Sequence, residues 1–210
     1  AFALMLSLIR HIPSSHRDII DNSVWDYSKF VGRQLDKMTV GIIGMGRLGT
    51  MFANYARAFK MKVVVYDTNV SCKDSVSIEE LQRVADVVTL HVHVKSDTMN
   101  MINDKFLDAS KRGMFLINTS RGQIVNEKCV VAALASGKLG GYATDVICDE
   151  LGGNLDNNAI VRAARAGLNV VITPHVGGMT SDAREIAYNA VIDMLKQRTE
   201  ILDEIYGDYC

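Results

Sequence analysis

Thr39-Val40-Gly41-Ile42-Ile43-Gly44-Met45-Gly46-Arg47-Leu48-Gly49 decides the fold: a short β-branched run ends in a Gly-x-Gly-x-x-Gly turn and opens into a helical pattern rich in Ala, Phe and Arg. Three glycines at this spacing occur in many turns by chance, so it is the flanking strand and helix that give the motif weight. Gly44 permits the tight turn, Gly46 lets backbone approach a ligand, and Gly49 lets the helix pack closely on its strand. The free amides of Arg47 and Leu48 then point outward at the positive end of the helix dipole, a seat for the pyrophosphate of a dinucleotide.

Outward from this turn, strand and helix patterns alternate. Strand-like runs fall at Thr39–Ile43, Lys62–Tyr66, Asp86–Leu90, Met114–Asn118, Gly141–Thr144 and Asn169–Thr173. Each is short and largely apolar on both faces, as expected of strands covered by helices on either side. Between them Leu48–Phe59, Ser77–Arg83, Asn103–Ser110, Asn126–Ala135 and Asn158–Ala166 read as helices. The alternation predicts right-handed parallel crossovers and a doubly wound α/β sheet of the Rossmann kind, three layers α/β/α. Six strands match two mononucleotide-binding halves, the second starting near Met114. Residues 37–180 form the predicted nucleotide-binding domain. Residues 1–36 precede it as a helical leader (Ala1–His11) and a loop (Ile12–Asp36), and 181–210 follow as an amphipathic helix expected to pack on it.

Composition narrows the function. The chain has 210 residues, 48% of them apolar and 22% charged, with a net charge of -1, which argues against a nucleic-acid surface. No apolar run reaches the length of a membrane span. Ala1–Ile9 is apolar but has no basic flank before it and no cleavage site after it, so it reads as a buried helix already under way, with a segment missing upstream. Cys72, Cys129, Cys148 and Cys210 are scattered without a Cys-x-x-Cys pair, which predicts reduced thiols in a cytoplasmic protein.

The run Lys62–Tyr66 ends in Asp67, the position from which an acid accepts hydrogen bonds from the adenosine ribose hydroxyls. Its charge would repel a 2′-phosphate, and Thr68-Asn69 supplies no arginine to hold one, so NAD is expected rather than NADP. The alternative is a strand-end aspartate that caps a turn.

Three further strand ends carry polar residues where ligands bind in open α/β sheets: Asn118-Thr119-Ser120-Arg121-Gly122, Asp145-Val146-Ile147-Cys148-Asp149-Glu150, and Thr173-Pro174-His175-Val176-Gly177-Gly178. Singly, each has a bland reading: Arg121 as a surface cation, Asp145 as a cap, His175 as a loop histidine. Their joint placement opposite the glycine turn points to chemistry. His91 and His93 share one face of an extended segment but have no third ligand nearby, which argues against a metal site.

At these residues the chain resembles the NAD-binding domain of the D-isomer-specific 2-hydroxyacid dehydrogenases, from Ala1 to about Asn189. The stretches that carry the resemblance are GIIGMGRLG (41–49), INTSRGQIVNE (117–127), ATDV (143–146) and TPHVGG (173–178), in the family's order. ADVVTLH (85–91), GKLGG (137–141) and Val24-Trp25 are lesser echoes. The resemblance implies an NAD-dependent oxidoreductase of 2-hydroxy and 2-oxo acids. Arg121 would grip the substrate carboxylate in a forked contact, His175 would be the acid/base at the carbonyl oxygen, and Glu150 would bond His175 and favour its protonated form. Asp145, with backbone around Thr119 and Ser120, would hold the nicotinamide carboxamide, and Gly177-Gly178 would leave room for its ring.

The family pattern is not matched everywhere. Leu151-Gly152-Gly153 stands where a proline follows the acid, which leaves Asp149 as an alternative to Glu150. His93 replaces a family proline beside the adenosine site. The family's N-terminal substrate domain has no counterpart here, so the chain is expected to be a fragment or a naturally short protein. Three roles follow: the cofactor-binding half of a dehydrogenase, a non-enzymatic NAD(H)-responsive interaction module like the family's co-repressor branch, or a dimerising scaffold. The family implies a homodimer, with the apolar Ala1–Ile9 helix expected at its interface.

Overall fold

Six strands, β1 (Thr39–Ile43), β2 (Lys62–Tyr66), β3 (Val87–Leu90), β4 (Met114–Asn118), β5 (Leu139–Thr144) and β6 (Val170–Ile172), pair in parallel in the order β2-β1-β3-β4-β5-β6. The computed structural model describes residues 1–150, 152 and 154–206, with side chains through Arg198. Cys210 therefore lies outside the described residues, as do Leu151 and Gly153. The chain divides into two compact units, Ala1–Pro174 and His175–Cys210.

Strand alternation sends successive side chains to opposite faces, and each face has its own core. On one face Ile43, Val64, Val88, Leu90, Leu116 and Tyr142 pack with residues of α4 (Ile78–Val84), α5 (Asp104–Ala109), α6 (Glu127–Ala135) and α7 (Ala159–Arg165). On the other, Val40, Ile42, Val65, Val87, Ile117 and Ala143 pack with α1 (Phe2–Ile9) and α3 (Arg47–Ala58). This is the three-layer α/β/α arrangement that the alternation predicts.

The strand order corrects one expectation. From β2 the chain returns past β1 to β3, so the order reverses between β1 and β3, and the second half starts at Val87 rather than near Met114. Beyond β2, Ser75 makes a single parallel bridge to Val65 where a further strand would lie. The reversal opens a crevice at the carboxyl ends of β1 and β3, the place where ligands bind in such sheets.

Two other expectations change. The predicted loop Ile12–Asp36 contains an 11-residue helix, α2 (Ile12–Asn22), with Pro13 in its first turn and His11 before it at φ 53. Pro suits that position because its missing N–H has no partner to lose there. Ala1–Ile9 is the buried helix its sequence suggests, but the sheet rather than a partner takes its apolar face: Leu4, Met5, Leu8 and Ile9 are buried in the core against β4, β5 and β6.

The second unit contains α8 (Ser181–Tyr206), whose first turn is capped by the Thr180 hydroxyl, an acceptor for Ala183 N–H at 3.1 Å.

Candidate cofactor and active site

The glycine turn is built as its sequence requires. Gly44 sits at φ +95, and a side chain there would meet the His91 carbonyl oxygen at 2.5 Å. A Cβ on Gly49 would lie 2.1 Å from the Gly44 carbonyl oxygen, so the helix could not start so close to β1 with any other residue. A Cβ on Gly46 would meet nothing within 4 Å. Backbone is thus open to a ligand on that side, and Arg47 and Leu48 begin α3 exposed beside it.

Around this turn lies a crevice of about 250 Å³ lined by Gly44 and Gly46 after β1, Tyr66 and Asp67 at the end of β2, and His91, His93 and Lys95 after β3. Asp67 anchors it. One carboxylate oxygen accepts Met45 N–H at 2.6 Å, and the other accepts Asn69 N–H at 2.7 Å and Val70 N–H at 3.0 Å. Partial burial alone would raise this carboxyl, but the three N–H donors, followed by the charge of Lys95, outweigh it and hold the acid below the usual carboxylate range. Asp67 therefore caps a turn and also stays ionised at the crevice wall; with about four acceptor positions on a carboxylate, it keeps capacity for a ribose hydroxyl.

The loop after β3 owes its shape to Thr98, which sequence reasoning missed. The buried Thr98 hydroxyl donates to His93 O at 2.6 Å and accepts Lys95 N–H at 2.8 Å, placing His93 and Lys95 on the crevice. A lone threonine in a polar loop gives no sequence signal for this. His91 bonds the Thr89 hydroxyl at 3.0 Å and packs on Phe52, and burial lowers its pKa to about 4, so it is neutral. Among the described residues no group of histidine, cysteine and acidic side chains is suited to a metal.

A second set of residues gathers at the ends of β4 and β5. Buried Asn118 folds the turn after β4: its carbonyl accepts Ser120 N–H at 3.0 Å and its amide donates to Arg121 O at 2.9 Å. Ser120 Oγ adds a bond to Leu90 O at 2.8 Å, tying this turn, with Thr119, to β3. Arg121 projects exposed, its guanidinium donating to Ser120 O at 2.6 Å, and no carboxylate among the described residues pairs with it. Asp145 is buried, donates its backbone N–H to Asn118 O at 3.0 Å, and accepts the Thr173 hydroxyl. Asp149 and Glu150 follow on an exposed turn, with Asp149 at φ 58.

Arg121, Asp145 and Glu150 thus belong to the first unit, while His175, Gly177 and Gly178 belong to the second. There His175 adopts φ 55, the left-handed region that costs a non-glycine residue about 1–2 kcal/mol, and Met179 N–H closes the following turn on Val176 O at 2.9 Å.

Residues 2–177 match the family model described as D-isomer specific 2-hydroxyacid dehydrogenase, NAD binding domain. A D-3-phosphoglycerate dehydrogenase of Synechocystis sp. is 32% identical over 96% of this chain and 36% of its own length. A D-specific alpha-keto acid dehydrogenase of Enterococcus faecalis is 37% identical over 86% of this chain and 58% of its own length. The chain thus spans about a third of the phosphoglycerate dehydrogenase. Among solved structures, D-lactate dehydrogenase from Aquifex aeolicus, complexed with NAD and lactic acid, superposes with a TM-score of 0.86 at 31% identity, covering 98% of this chain and 67% of that one.

Proposed function

The chain belongs to the D-isomer-specific 2-hydroxyacid dehydrogenases through their NAD-binding domain, and on that premise we propose that it is the cofactor-binding and catalytic half of an enzyme acting on a 2-hydroxy or 2-oxo acid. The observation that carries this reading is the crevice at the strand-order reversal, lined by ionised Asp67 and by the open Gly46 backbone beside it. Bound NAD supplies the hydride chemistry.

The residues of the chain bind and orient. Asp67 takes the ribose hydroxyls, the start of α3 takes the pyrophosphate, and His93 borders the adenosine. Thr119 and Asp145 hold the carboxamide, and Gly177-Gly178 gives the ring room. Arg121 forks onto the substrate carboxylate, and its lack of an acidic partner among the described residues leaves it available for one. His175 moves the proton at the substrate oxygen, oriented by Glu150, with Asp149 the alternative. The family and the relatives above are dehydrogenases, and no observation favours the interaction-module reading.

A homodimer is part of the proposal, on different grounds from those the sequence suggested. Trp25, Tyr27 and Val31 are 85%, 87% and 77% exposed, and Ile12 and Ile20 lie exposed on the neighbouring helix, an apolar surface that a second copy could cover. Free thiols at Cys72, Cys129 and Cys148 suit the reducing cytoplasm we assign to the protein. Among the described residues no helix is long and apolar enough to cross a membrane.

The test is NADH oxidation with a panel of 2-oxo acids, by the chain alone and with a relative's substrate domain supplied. Turnover that Arg121→Ala and His175→Ala both abolish supports the proposal. No turnover under either condition removes the enzymatic claim and leaves cofactor binding.

A further inference from the structure

We propose that Glu127 is a positioning residue whose single carboxylate clasps both ends of the connection between β5 and α7, the stretch that carries Asp149 and Glu150. Its Oε1 accepts the Cys148 N–H at 2.8 Å at the start of that connection. Its Oε2 accepts the Asn158 side-chain amide at 2.9 Å at the end. The clasp matters for catalysis only through the reading of Glu150, or Asp149, as the acid that orients His175.

The geometry leaves little freedom in the arrangement. Asn158 caps α7, its carbonyl oxygen accepting Ile160 N–H at 2.9 Å and Val161 N–H at 3.1 Å. Turning its amide over would lose that cap, so the NH₂ group must face Glu127. Glu127 is placed by Asn126, whose side chain accepts Cys129 N–H at 3.3 Å and starts α6. A carboxylate in the first turn of a helix is favoured by the helix dipole, and here it remains half-buried between two donors. The neighbouring Cys148 thiol is pushed up to about 11, by burial first and by the Glu127 charge second, so it stays a neutral thiol.

The clasp also reaches the arginine turn. Gly122 lies so close to the connection that a Cβ on it would meet Ile147 carbonyl carbon at 2.3 Å. The segment 121–127 therefore delivers Arg121 at one end and, at the other, the carboxylate that fastens the acidic loop. Placement of the cation for the substrate and of the acid for His175 is set by one short stretch of chain.

Substitutions at two positions test the clasp in the full 210-residue chain by amide hydrogen exchange. Glu127→Gln has one acceptor oxygen for two donors, so it accepts from Cys148 only by turning its NH₂ against the Asn158 NH₂, and that repulsion loosens its hold on the Cys148 amide. Asn158→Asp alone sets carboxylate against carboxylate. Together, Gln at 127 donates to Asp at 158 while accepting from Cys148. Each single variant is expected to speed exchange of the Cys148 amide about tenfold, the size of one lost hydrogen bond, and the double variant to return it to within about threefold of wild type. Amides of β1 to β4 should keep their protection throughout, which shows that the fold is retained. Wild-type exchange in both single variants, or a double variant no slower than the singles, overturns the clasp. Glu150→Gln separates the two readings: it leaves the clasp bonds in place, so unchanged turnover there retires the role of Glu150 while the exchange cycle still decides Glu127.

Discussion

The Asp67 carboxylate accepts the Met45 N–H at 2.6 Å, so the acid ending the second strand and the glycine turn after the first form one hydrogen-bonded unit. Asp67→Ala is expected to loosen the turn as well as remove a ribose contact. Two further amides, of Asn69 and Val70, lose their acceptor at the same time. Unfolding stability should fall by about 1 kcal/mol, because water can replace the acceptor at the exposed Asn69 and Val70 amides, measurable by urea titration. Asp67→Asn, which keeps one acceptor oxygen, should fall between the two.

Cofactor choice depends on two residues of the same crevice. Asp67 repels a 2′-phosphate, whereas Lys95 lines the crevice and acts on Asp67 with the opposite charge. Asp67→Ser is expected to narrow the preference for NADH over NADPH by about tenfold, since about 1.4 kcal/mol of repulsion suffices. Adding Lys95→Ala should restore much of the preference. Fluorescence titration with both cofactors checks this.

Gly122→Ala should be strongly destabilising although it adds one methyl. The methyl would overlap Ile147 carbonyl carbon at 2.3 Å and Cys148 N at 2.5 Å, and backbone cannot rotate away as a side chain can. A loss of about 2 kcal/mol or more is expected, with turnover lost through displacement of the Arg121 turn. Thermal unfolding of the variant measures it.

Acid should weaken the fold in two separate windows. His91 is held neutral with a pKa of about 4, below its ordinary 6.5, so unfolding takes up a proton between those values. Stability therefore declines as pH falls from 6.5 to about 4, by at most about 3 kcal/mol, and His91→Gln should flatten that decline. Asp86 acts lower. Burial raises its carboxyl, but Thr39 N–H at 2.8 Å, Lys111 at 2.9 Å and Arg33 at 3.0 Å more than compensate and lower it. Its contribution is fully present above the unfolded carboxylate pKa near 4 and is lost as pH falls through the depressed folded value. Denaturation midpoints from pH 7 to pH 3 resolve the two.

Sequence revealed what is local. The strands, the glycine turn and the acid at residue 67 are each set by a few neighbouring residues, and the observed ends of most elements differ from the expected ones by one or two positions. It did not reveal α2, whose eleven residues carry only three isoleucines, none of them buried, around a proline and several polar residues that read as a loop. It read Ala1–Ile9 as a buried helix, as observed, but also expected an interface there, since an apolar run does not say whether the sheet or a partner covers it. The strand order was also out of reach, since a chain of alternating strands and helices fits several orders. Bonds between distant side chains, such as Asp86 to Arg33 and Glu127 to Asn158, join residues with no common sequence motif. The placement of Arg121 was legible as a motif, but its support by Asn118 needed the turn itself.

Calorimetric titration of the chain with NADH decides whether the crevice at Asp67 and the glycine turn is a cofactor site. Saturable one-site binding is expected, weakened at least about tenfold by Asp67→Ala and further by the Arg47/Asp67 double variant. Binding to the double variant as tight as to the wild type, or no binding at all, would contradict it.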